Sequence, residues 1–128
     1  MSSFYMAARF SRRFELQGYR ADLARIGHEV TARWIDDRDG ADEAADASGC
    51  AVRDVQDVEI ADGIIAFTEI PRTPTRGGRH VEFGIAAAEG KRLIAVGPER
   101  ENVFYHLPEV EFFEDWPMAL SILAVRRH

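Results

Sequence analysis

The sequence predicts an α/β domain with a five-stranded parallel sheet between two layers of helices. Three observations carry this. Apolar runs short enough to be strands alternate with amphipathic stretches long enough to be helices. The runs "SFYMAAR", "GIIAFTE" and "RLIAVG" are near-continuously apolar, as strands covered on both faces must be. The length, 128 residues, fits one core, and no internal repeat or second domain is visible.

The first strand is expected over 3–9. Ser11 is the expected N-cap of a helix over 12–26, with Phe14, Leu16, Tyr19, Leu23 and Ile26 as its apolar stripe and Gly27 as its stop. "HEVTARWI" alternates and is rich in β-formers, so 28–35 reads as the second strand. The acidic, aromatic-free stretch 36–49 reads as a long loop. A helix over 51–61 follows, with Val52, Val55, Val58 and Ile60 as its apolar positions. The third strand is expected over 63–69 and a proline- and glycine-containing loop over 70–78. A helix over 79–89 ends at Gly90, a fourth strand spans 92–97, a short fifth spans 111–113, and a last helix spans 116–126. For five such strands the expected order is the flavodoxin-like 2-1-3-4-5, a three-layer, Rossmann-like sandwich. Ligands of such sheets bind beyond the carboxyl ends of the strands, where the order reverses.

Composition narrows the function. Hydrophobic residues make up 46% and charged residues 30%, and the net charge is −6, which argues against a nucleic-acid polymer as partner. No apolar run approaches the roughly 18 residues of a membrane span, and the N-terminus lacks a signal-peptide pattern, so a cytoplasmic location is expected. Cys50 is the only cysteine, which excludes an intrachain disulfide and a cysteine-based zinc site. His80 and His106 lack metal-ligand spacing, so no metal is expected. The chain has no Walker A, GxGxxG or GxSxG pattern, and Lys91 is the only lysine, which disfavours a Schiff base.

Two basic groups stand out: Arg9, Arg12 and Arg13, and Arg72, Arg76, Arg79 and His80. In the second, Gly77 and Gly78 let a backbone approach a ligand at a helix N-terminus. Glu82 follows, placed in the first turn of its helix. It is either a residue favoured there by the helix dipole, worth about 0.3–1 kcal/mol, or a carboxylate aimed into a cleft as nucleophile or base. Asp62, in an Asp-Gly pair before a buried strand, is either a turn residue or a second functional carboxylate, although it stands at the amino end of its strand. Asp57 reads as a solvated or capping residue. Tyr5 is a core aromatic or a site group. Gly84 is expected where the helix packs closely.

Four stretches, in this order and spacing, resemble the nucleoside 2-deoxyribosyltransferases and their nucleotide N-glycosidase relatives. "FYMAARF" is similar to the family's first strand, and "DVEIADGIIAF" to its segment of an aspartate before an apolar strand. "GGRHVEFGIAAAEGK" resembles its catalytic segment, with a glycine four residues before the glutamate. "GPERENVFYHLP" takes the place of a loop that can reach a neighbouring subunit's site. The resemblance runs from Tyr5 to Asn102, most of the chain. It implies the flavodoxin-like fold, no cofactor, a small nucleoside or nucleotide substrate and a homo-oligomer, a dimer or larger. It implies that Glu82 attacks C1′ of a (deoxy)ribosyl group to form a covalent glycosyl-glutamate, that Tyr5 holds Glu82, and that Asp62 handles the base or protonates the leaving nitrogen. Arg9, Gly77, Gly78, Arg79 and Asn102 would bind substrate. Many of the transferases carry a small hydroxyl residue after the second glycine. Arg79 and His80 stand here instead, and with Thr75, Arg76 and Arg9 they would suit a 5′-phosphate. The alternative from another class is a non-catalytic nucleotide-binding or regulatory module on the same fold.

Overall fold

A computed structural model describes residues 2–38, 43, 45–69 and 77–125. Five strands form one all-parallel sheet: β1 (Ser3–Ala7), β2 (Glu29–Val30), β3 (Gly63–Phe67), β4 (Arg92–Val96) and β5 (Val110–Phe113), in the order β2-β1-β3-β4-β5. Helices α1 (Arg13–Arg25), α2 (Ala47–Ile60), α3 (Gly78–Ala88) and α4 (Trp116–Leu123) connect or follow them. The order reverses between β1 and β3, as the sequence predicts. In register, Tyr5 lies beside Ile64, and Ile64 beside Leu93.

Every residue of β3 is buried, as is β1 from Phe4 to Ala7 and β4 from Leu93 to Val96. Alternation along the strands gives the two faces different jobs. Phe67 stacks with Tyr19 of α1 at 5.5 Å, and Tyr19 stacks with Trp116 of α4 at 4.6 Å, which closes one face. Tyr5 points to the opposite face, where α2 and α3 pack against each other and against β1. At the amino end of the sheet Gly63 is required by close approach. A Cβ there would lie 2.9 Å from the Arg92 carbonyl oxygen and 3.1 Å from the Phe4 ring.

Several expectations at the edges fail for identifiable reasons. The second strand shrinks from 28–35 to two residues. After Val30 the chain leaves the sheet edge and turns into a 3₁₀ helix (Arg33–Asp36), because Trp34 Nε1 donates to the Met6 carbonyl (2.8 Å) and Asp57 accepts from Arg33 N (2.9 Å). Ser11 does not cap α1. It lies inside a 3₁₀ turn (Phe10–Arg12), and α1 begins at Arg13 with no side-chain cap bond. Phe14 leaves the apolar stripe and lies exposed beneath the Arg13 guanidinium, 4.5 Å away. On α2, Val52, Val55 and Ile60 are exposed, and the buried positions are Asp57 and Val58. The helix is rotated relative to its hydrophobic pattern, turning acidic residues inward. The loop residues Arg72, Thr75 and Arg76 lie outside the described residues.

Candidate active site

The site is built where α3 and α2 cover β1. Gly77 adopts φ +80°, a left-handed conformation at the N-cap of α3 that a side chain would strain. α3 starts at Gly78, which makes Glu82 its fifth residue, just past the first turn in which the sequence places it. The dipole account of Glu82 therefore weakens, because that effect is confined to the first turn.

What holds Glu82 is Tyr5. The phenol, wholly buried, donates a hydrogen bond to Glu82 Oε2 across 77 positions of sequence. Burial raises the Glu82 carboxyl to about 8. The Tyr5 bond acts against this rise, and the charge of Asp54 adds to it. Tyr5 is pushed far above the ordinary phenol value, first by burial and then by the charge of Glu82, so it remains a proton donor.

Asp54, on the inward side of α2, is the second carboxylate of the site. Its own carboxyl is raised by burial against the lowering effect of Arg53. Its one hydrogen-bond partner among the described residues is Arg53 Nη2, at 3.3 Å. Sequence reasoning missed Asp54. The signal was its place four residues before buried Val58, on the same face of the helix.

Asp62 lies elsewhere. Its Oδ2 accepts from Ser3 N (2.9 Å) and Ser3 Oγ (3.2 Å) at the amino end of β3, and the Asp62 backbone N–H donates to the Ser3 carbonyl. It ties β1 to the start of β3 and is not among the charges acting on Tyr5 or Glu82. Asp57, read from sequence as solvated, is 1% exposed. It accepts from Arg33 N, Nε and Nη2, each at 2.9 Å.

The predicted binding residues divide. Gly77 and Gly78 stand at the amino end of α3, and among the described residues no heavy atom lies within 4 Å of where a Cβ on Gly78 would stand. Arg9, at the carboxyl end of β1, pairs with Glu69 at 3.4 Å, and Arg12 approaches the same carboxylate at 3.8 Å. Arg79 turns inward instead: it is buried, donates to the Phe67 carbonyl (3.1 Å) and pairs with Glu101. That pair fastens the start of α3 to β3 and to the loop after β4. Asn102 caps the 3₁₀ turn Val103–His106 by accepting from Phe104 N (2.9 Å). It also lines an apolar groove with His80, Phe83, Gly84, Phe104 and Tyr105, on another side of α3 from Glu82. Gly84 meets open space there, so it serves no close packing.

No protein-family model matches the chain, and no curated protein matches it. Solved structures do. A CMP N-glycosidase, BcmB, of Clostridium botulinum superposes with TM-score 0.63 at 20% identity, covering 94% of this chain and 97% of that one. A 2-deoxyribosyltransferase of Bacillus psychrosaccharolyticus superposes with TM-score 0.70 at 18% identity, covering 99% of each chain. The chain has the fold of these two enzymes. They are an N-glycosidase and a deoxyribosyltransferase, the two activities joined in the family that the sequence resembles. At these identities it is the architecture that is shared, end to end.

Proposed function

We propose that this protein is an enzyme of the nucleoside 2-deoxyribosyltransferase and nucleotide N-glycosidase family that breaks or exchanges the N-glycosidic bond of a nucleoside or nucleotide. The observation that carries the reading is the part-buried Tyr5–Glu82 hydrogen bond, with Asp54 near enough to act on both groups. A carboxylate buried at that cost, beside a second one, is the arrangement glycosyl transfer requires.

Two carboxyl groups that repel each other in a buried site titrate as a pair and share one proton over a wide pH range. The productive arrangement leaves Glu82 ionised against the Tyr5 hydroxyl and the proton on Asp54. Glu82 attacks C1′ as the C1′–N bond breaks, and the negative carboxylate stabilises the oxocarbenium-like transition state. The departing base takes the proton of Asp54. The sugar is then an ester of Glu82. Water or a second base attacks C1′, its proton returns to Asp54, and Glu82 leaves as carboxylate. Tyr5 fixes the attacking oxygen and lowers the cost of its charge. The amino end of α3 at Gly78, with Arg9 at the end of β1, faces the sugar side of the substrate. Arg79 takes no part in binding, since its charge is spent inside the fold. The substrate partner is a small molecule, and the functional unit is a homo-oligomer acting in the cytoplasm.

The test is a panel of nucleosides and 5′-monophosphates, with and without an acceptor base, read as free base by chromatography. The wild type releases base from at least one of them, and Glu82→Ala does not. Equal turnover in that variant overturns the assignment of Glu82.

A further inference from the structure

One ion pair beside the site is not absorbed by this mechanism. Arg53 precedes Asp54 on α2, yet its guanidinium turns mainly to Asp37, which follows the 3₁₀ helix after β2. Arg53 Nη1 donates to Asp37 Oδ1 at 2.8 Å and Nη2 to Asp37 Oδ2 at 2.6 Å, a fork-on-fork pair. The same Nη2 reaches Asp54 Oδ1 only at 3.3 Å. Both partners of the fork are largely sheltered, with side chains 22% and 16% exposed. Arg53 Nε is buried and has no hydrogen-bond partner among the described residues.

One guanidinium nitrogen thus stands between two carboxylates, and the two short bonds decide which it serves. A full ion pair on Asp54 would hold that carboxyl ionised and leave no acid for the departing base. We propose that Asp37 is a positioning residue for the site. By engaging Arg53 in two short bonds, it keeps the guanidinium from closing on Asp54 and leaves Asp54 able to carry the proton.

The proposal rests on the glycosyl-transfer reading for its consequence, but its physical content concerns Asp54 alone. Among the described residues the charged and titratable groups facing Asp54 include Cys50, one turn earlier on α2. Arg53 and Asp57 come from α2, Asp37 from the segment after β2, Glu82 from α3 and Tyr5 from β1. Asp57 is satisfied by Arg33, so it does not compete for Arg53. In Asp37→Asn the fork weakens and Arg53 is released onto Asp54.

The deciding measurement is a carboxyl ¹³C NMR titration of Asp54 in the intact protein, run on the wild type, Asp37→Asn, Arg53→Met and the double variant. Asp37→Asn lowers the Asp54 midpoint by about one pH unit, a tenfold change in its ionisation equilibrium. Arg53→Met raises it, and in the Arg53→Met background Asp37→Asn moves it far less, because the fall depends on the released guanidinium. In base release, the alkaline limb of kcat/KM moves toward acid in Asp37→Asn and returns in the double variant. If Asp37 acts on Asp54 only through its own charge, Asp37→Asn lowers the Asp54 midpoint by the same amount with and without Arg53. That outcome, or a midpoint in Arg53→Met that stays or falls, overturns the proposal, and the second holds even if Asp37→Asn does not fold. If no member of the panel is cleaved, the catalytic reading fails, while the titration still decides the role of Asp37.

Discussion

Asp54 and Asp57 stand one turn apart on the same helix, and their surroundings differ in kind. Asp57 is saturated: three donors of Arg33 reach its carboxylate, and almost none of it meets solvent. Among the described residues Asp54 has one long bond and a second carboxylate for a neighbour. A buried acid with all its donors is a fastening, because every proton and charge on it is already assigned. A half-buried acid short of protein donors has a protonation state that can change during a reaction. The pair teaches that burial alone does not mark a functional carboxylate. Unmet hydrogen-bonding capacity next to a like charge does.

The largest expected effect comes at the group that Asp54 serves. Glu82→Gln lowers the rate of base release by roughly 10³-fold or more, as removal of a nucleophile does, measured by single-turnover release of base. The same variant sharpens the energetic side. Glu82 is raised from 4.5 to about 8, so its burial costs nothing below pH 4.5 and the fold loses stability as the pH climbs through that window. Glu82→Gln therefore melts above the wild type at pH 8, and the gap closes at pH 4.5 (thermal denaturation followed by circular dichroism).

Asp54→Asn comes next, with a loss on the order of 10²-fold, typical of a general acid. It carries a signature that Asp57 variants lack. The wild-type pH profile falls in alkali as the shared proton is lost, near the Glu82 value of about 8, and Asp54→Asn abolishes that limb. Asp57→Asn reverses the pattern. It costs about 2 kcal/mol in urea denaturation, because Arg33 N loses a charged acceptor, while the folded fraction keeps its turnover number. If Asp57→Asn instead lost turnover with stability intact, the contrast between the two residues would collapse. The smallest effect is at Asp62. Asp62→Asn weakens the tie to Ser3 by about 1 kcal/mol and leaves kcat/KM unchanged.

Much of this was legible in the sequence. The apolar runs of β1, β3 and β4 specify central strands, and their alternation with helices specifies the parallel order. Tyr5 and Glu82 were both visible, one in the first strand and one after the glycine pair, and the fold brings them into contact. What stayed hidden has a common cause in helix rotation and long-range pairing. Periodicity put Val52, Val55 and Ile60 inside α2, but the tie of Asp57 to Arg33, together with the inward placement of Asp54, turns that side of the helix to solvent. Asp62 was carried into the site by the family resemblance of its segment, although it stands at the amino end of β3, where its carboxylate bonds Ser3. Arg79 looked like an anion-binding cation because its partner Glu101 is 22 residues away, beyond any local pattern. The second strand was overread because Trp34 and Ile35 are β-formers by type, while their burial depends on an indole bond to β1.

The central claim is that Glu82 becomes covalently bound to sugar. The direct measurement is intact-protein and peptide mass spectrometry after acid quench of the wild type mixed with an excess of its best deoxynucleoside or nucleotide substrate. A mass gain of one glycosyl group, mapped to the peptide holding Glu82 and absent from Glu82→Gln, is the predicted result. Base release with no mass gain in the burst phase, or an adduct mapping to another residue, would contradict it.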